Sequence, residues 1–80
     1  MNESQAETEL PSAQELVVET ATLFASLAFA RLAEETRDLE QARLAIEALK
    51  GIVALLPEDR RRDYQSVLAN LQLAYADGAK

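Results

Sequence analysis

The stretch LEQARLAIEALKGIVALLP, Leu39 to Pro57, decides the fold. Leu39, Ala42, Ile46, Leu49, Val53 and Leu56 recur at spacings of three and four, the period of one face of an α-helix. Ala45 and Ile52 widen this seam. The opposite row, Glu40, Arg43, Glu47 and Lys50, alternates in sign and reads as a solvated face. Such i,i+3 and i,i+4 pairs stabilise a helix by about 0.2–0.5 kcal/mol each. Leu44, Ala48 and Leu55 carry apolar surface past the seam. Gly51 costs ~1 kcal/mol relative to Ala in a helix interior; it is either a point of close backbone approach or a tolerated defect. Asp38 with Gln41 resembles a capping box at the start, and Pro57 closes the far end. The pattern predicts a helix over 39–56.

Beyond Pro57, Glu58 and Asp59 suit the first turn of a further helix, predicted over 58–76. Its apolar stripe is Tyr64, Val67, Leu68, Leu71, Ala74 and Tyr75, with Leu73 outside it. Gly78 stands where a left-handed terminating residue is expected. Upstream, Ser12 with Glu15 forms a capping-box pattern that opens a helix predicted over 13–35. Residues 1–11 are polar and aperiodic, with Glu3, Glu7 and Glu9, and read as a disordered acidic tail. That opening has neither the basic start nor the apolar run of a secretory signal, so a cytoplasmic location is expected. It is also too short to span a membrane. No stretch alternates like a strand. Short connections make consecutive helices antiparallel neighbours, so the expected fold is an all-α three-helix antiparallel bundle over 12–78.

The first helix is anomalous. The run ATLFASLAFARLA, Ala21 to Ala33, carries Arg31 as its one charge. On a helical wheel Leu16, Val17, Leu23, Phe24 and Leu27 define one face, and Val18, Ala21, Ala25, Phe29 and Leu32 another, roughly opposite. The apolar arc far exceeds the ~100° stripe of a surface helix. Two short helices cover one side only, and a large exposed apolar patch marks an interaction site. The simplest occupant is a second copy, because symmetric homo-oligomers predominate and the two-fold dimer is commonest. The expected interface draws on Val18, Ala21, Phe24, Ala25, Leu27, Phe29 and Leu32, and the bundle is expected to be completed by homodimerisation. Arg31 falls within the Leu16–Leu23–Leu27 face, so it must find a partner or an interface edge.

Composition narrows the chemistry. An 80-residue chain suits one domain with a thin core. With no Cys, no disulfide supports it, and with neither Cys nor His the common zinc sites are excluded. Acid–base work would fall to Asp, Glu, Lys or Tyr. The cluster Glu34, Glu35 and Asp38 reads as a solvated turn. The only glycines, Gly51 and Gly78, cannot form a phosphate-binding loop. The expectation is therefore no enzyme and no cofactor. A net charge of −6 disfavours nucleic acid, whose backbone recruits basic proteins. One local exception is Arg60, Arg61 and Arg62, where positive charge opposes the dipole at a helix start. These residues read as salt-bridged to Glu58, Asp59 and Asp63, or as the contact of an adaptor with an acidic partner.

Residues 16–76 also resemble the bacterial family known as domain of unknown function 1844. The resemblance rests on an apolar first helix, then DLEQARLAIEAL, then VLANLQLAY, with matches at Ala42, Ile46, Glu47, Leu49, Leu68, Leu71, Ala74 and Tyr75. Gln72, where the family tends to Arg, and the short Leu55–Pro57 connection depart from its pattern. The resemblance implies a helical domain without an established activity. Genes of some family members lie near those of translation factors, so the resemblance implies a ribosome-linked role; joined to the run Arg60–Arg62, it gives the expectation of an adaptor that uses these arginines. Against this stands the leading expectation, a homo-oligomeric protein–protein interaction module.

Overall fold

The computed structural model describes residues 10–79. The expected disordered tail lies, up to residue 9, outside the described residues; Leu10 and Pro11 are exposed and precede the first helix. Three helices follow: α1 (Ala13–Leu32), α2 (Leu39–Val53) and α3 (Glu58–Gly78), with a short 3-10 turn at Glu34–Thr36. No strand occurs among the described residues. All three helices touch one another, and α1 against α2 is the most extensive pairing.

Side-chain caps start the first two helices. The Glu15 N–H donates to Ser12 Oγ at 3.1 Å, and the Gln41 N–H to Asp38 Oδ1 at 3.1 Å. Each such cap is worth about 1 kcal/mol. Pro57 precedes α3, where its carbonyl accepts from the Arg60 and Arg61 N–H groups.

All three helix C-termini differ from expectation. α1 stops at Leu32 rather than 35 because the next residues turn back and satisfy its terminal carbonyls. The Phe29 carbonyl accepts from the Ala33 N–H, and the Arg31 carbonyl from the Asp38 N–H. The Thr36 hydroxyl donates to the Ala30 carbonyl, and Arg37 Nη2 to the Leu32 carbonyl at 3.2 Å. All four groups that a helix end leaves orphaned are thus satisfied. At the other end of the bundle, Gly78 is not a left-handed terminator. It lies inside α3, and no residue among those described has positive φ. A Cβ there would lie in ordinary contact with Leu39 Cδ2, at 3.4 Å. The end of α3 thus abuts the start of α2, as antiparallel neighbours must. α2 itself ends at Val53, and tighter bonds from the Leu55 and Leu56 N–H groups to Ile52 and Val53 carry the chain on to Leu56.

The core contains Ala21, Ala25, Ala28 and Leu32 of α1, and Ala42, Ala45, Ile46, Leu49 and Val53 of α2, with Leu56 and Leu71. Leu39, Ile52, Tyr64, Val67, Leu68, Ala74 and Tyr75 pack around it. The predicted seam of α2 and stripe of α3 are therefore the faces that the protein buries. Leu73 is exposed.

Candidate functional site

The distinctive feature of the molecule is the orientation of α1. Ala21, Ala25 and Ala28 recur at four and three and face the core together with Leu32. Alanine permits helix axes to approach toward the short end of the 8–10 Å range. Three leucines of α1 lie on the other side. Leu16, Leu23 and Leu27 are 51%, 67% and 40% exposed, and Phe29 is 49% exposed. α1 thus buries three alanines beside Leu32 and displays three leucines, the reverse of an ordinary amphipathic helix.

The expected interface residues divide accordingly. Ala21, Ala25 and Leu32 belong to the core of the protomer, and Val18 and Phe24 pack against it. Those five serve α2 and α3 first. Leu27 and Phe29 remain exposed. Leu27 continues an outward stripe with Leu16 and Leu23, two residues absent from the expected interface, whereas Phe29 is exposed on the flank of the buried face. The signal of the stripe is legible: Leu16, Thr20, Leu23, Leu27 and Ala30 recur at four, three, four and three, the repeat of a helix–helix seam.

Beside this stripe, the starts of α1 and α3 enclose an open groove of about 590 Å³. Val18, Leu23, Pro57 and Tyr64 supply its apolar lining, and Glu15, Glu19, Asp59 and Arg60 its charged rim. Thr22 Oγ1 donates to the Val18 carbonyl at 3.1 Å. Its single proton is thereby committed, so the Tyr64 hydroxyl is the donor in their 2.6 Å contact. This bond ties α3 to α1.

The three arginines have separate surroundings. Arg60 and Arg62 are exposed, whereas Arg61 is half-buried. Arg61 Nη2 donates to the Leu56 carbonyl at 3.0 Å, and its Nε is buried without a partner among the described residues. Arg61 repeats what Arg37 does for Leu32: an arginine five residues on returns to the carbonyl that ends the preceding segment. Arg61→Ala is therefore expected to lower stability by about 1 kcal/mol, and Arg60→Ala to leave it within about 0.5 kcal/mol. Urea unfolding of the two variants checks this difference, and equal midpoints would remove the structural role of Arg61.

Glu34, Glu35 and Asp38 are exposed, and Asp38 is occupied as the α2 cap. Among the described residues no group of three or more His, Cys, Asp or Glu side chains is arranged to hold a metal ion. Nor is any described helix long and apolar enough to cross a membrane. No family model, curated protein or solved structure matches the chain.

Proposed function

We propose that this protein is a homo-oligomeric interaction module that pairs through the outward face of α1. One observation carries the reading: α1 places Ala21, Ala25 and Ala28 in the core and leaves Leu16, Leu23 and Leu27 in water. Fully burying a leucine is worth about 1.5–3 kcal/mol, so even the exposed fractions of these side chains favour a cover. A second copy supplies a cover of the same kind, because a two-fold contact brings one stripe against itself. Thr20 and Ala30 are small enough to receive leucines of the facing helix between them. The adaptor reading through Arg60–Arg62 has less support, since Arg61 is engaged by the Leu56 carbonyl.

Sedimentation equilibrium tests the proposal. The protein is expected to change from monomer to a species of at least two chains between about 1 and about 500 µM. The double variant Leu23→Glu/Leu27→Glu is expected to stay helical by circular dichroism, because both side chains point outward, and to lose this association. A protein that remains monomeric throughout, or a variant that associates as the wild type does, would sink the reading.

A further inference from the structure

The groove between the starts of α1 and α3 joins an apolar floor to an acidic rim. On α1, Glu15, Val18, Glu19 and Thr22 recur at three and four residues, so one flank of that helix supplies apolar surface and two carboxylates together. Asp59, Arg60 and Tyr64 of α3 line the other wall beside Pro57. Three carboxylates thus stand against the single guanidinium of Arg60, and all four groups are exposed. Among the described residues no three acidic side chains are grouped closely enough to hold a metal ion. The negative charge is therefore spread along the rim rather than gathered at a point. Such a rim is complementary to separate positive charges carried on an apolar body. Tyr64 adds an independent preference of the same kind. Its hydroxyl is engaged by Thr22 at 2.6 Å, so its ring is what it offers a ligand. An aromatic face attracts ammonium and guanidinium groups. The volume of about 590 Å³ is within the range of sites that enclose small ligands.

We infer that this groove docks a basic, partly apolar peptide segment of a different protein. The segment sets lysine or arginine against Glu15, Glu19 and Asp59, and an aliphatic side chain against Val18, Pro57 and Tyr64. The chain itself supplies no such segment. Residues 1–9, which precede Leu10 and the start of α1, contain three glutamates and no basic residue. They add charge of the same sign as the rim. The one basic run, Arg60–Arg62, lies between Asp59 and Asp63 and begins at the groove itself, and every other Lys or Arg stands singly. A second copy, with its net charge of −6, is thus a poor match for the rim, and complementarity selects a basic partner. The site is distinct from the pairing face of α1. It uses the flank from Glu15 to Thr22 and shares only Leu23 with the outward stripe.

The probe is a short capped peptide of alternating lysine and leucine. The protein has two tyrosines, Tyr64 and Tyr75, and no tryptophan, so Tyr75→Phe leaves Tyr64 as the sole emitter. In low-salt buffer with about 1 µM protein, where α1 pairing contributes little, Tyr64 emission is expected to change saturably, with half-saturation below about 100 µM peptide. The triple variant Glu15→Gln/Glu19→Gln/Asp59→Asn is expected to keep its helicity by circular dichroism, because all three side chains are exposed. It is expected to bind the peptide about tenfold more weakly. The control Glu34→Gln/Glu35→Gln/Glu40→Gln removes as much charge outside the groove, and is expected to change binding less than about twofold. A capped peptide of alternating glutamate and leucine is expected to leave Tyr64 emission unchanged. No response of Tyr64 at about 1 mM basic peptide would overturn the inference. Equal losses in the two triple variants, or an acidic peptide that binds as tightly as the basic one, would overturn it as well. Each of these results leaves the sedimentation result for α1 untouched.

Discussion

Leu49→Ala is expected to lower the unfolding free energy by about 3 kcal/mol, within the 2–5 kcal/mol usual for such truncations. Leu49 is fully buried at the middle of the α2 seam, among the largest side chains of the core. The effect is large relative to the whole. At about 0.05–0.15 kcal/mol per residue, a domain of this size has a stability of roughly 4–10 kcal/mol. The many alanines of the core sharpen the dependence, because they bury little area each and leave Leu32, Ile46, Leu49, Val53, Leu56 and Leu71 to supply most of it. Each kcal/mol shifts the melting temperature of a small domain by about 4–8 °C, so the midpoint should fall by roughly 12–24 °C. Thermal circular dichroism in the Leu23→Glu/Leu27→Glu background reads this without a contribution from pairing through α1. A fall below about 5 °C would mean that the site collapses around the deletion or that Leu49 is not central to the core.

The part of this fold that periodicity exposes is the part where the two sides of a helix differ in character. α2 has a seam of Leu39, Ala42, Ile46, Leu49, Val53 and Leu56 opposed by Glu40, Arg43, Glu47 and Lys50, so the wheel alone selects its inner face. α1 offers apolar residues on both sides, and hydropathy cannot choose between them. Size decides instead. α2 also buries two alanines, Ala42 and Ala45, and small side chains on both helices favour the close approach that turns the alanine side of α1 inward. The leucines are then displaced outward, and a reading weighted by hydrophobicity assigns core alanines to the interface.

The helix ends were less legible for a different reason. Nothing in the local pattern at Glu34 and Glu35 forbids a helix, and the stop at Leu32 depends on Thr36, Arg37 and Asp38 folding back onto carbonyls several residues earlier. Arg61 is the same kind of case. Within the run Arg60–Arg62 it looks like surface charge, and only its distance to the Leu56 carbonyl reveals a cap. The spacing of five residues between Leu32 and Arg37, and again between Leu56 and Arg61, is the one trace of this in the sequence.

Adjacent residues of α1 should respond to hydrophobic change in opposite senses. Ala28 is fully buried, and Leu27 faces outward. Ala28→Leu adds apolar surface, yet it is expected to destabilise the protomer by about 1–3 kcal/mol, because a packed core must shift to admit the larger side chain. The cost should fall at the upper end, since close helix approach at alanine contacts leaves little room for rotamer adjustment. Leu27→Ala removes apolar surface, yet it is expected to change protomer stability by less than about 0.5 kcal/mol, with the higher helix propensity of Ala partly offsetting the lost contacts. Its effect appears instead in association, which should weaken. Urea unfolding at about 1 µM, where pairing through α1 makes little contribution, separates the two quantities. If Leu27→Ala proves the more damaging change to the protomer, the leucine side of α1 faces the core. The self-association reading would then lose its surface, because the alanine side turned outward would present too little apolar area to require a cover.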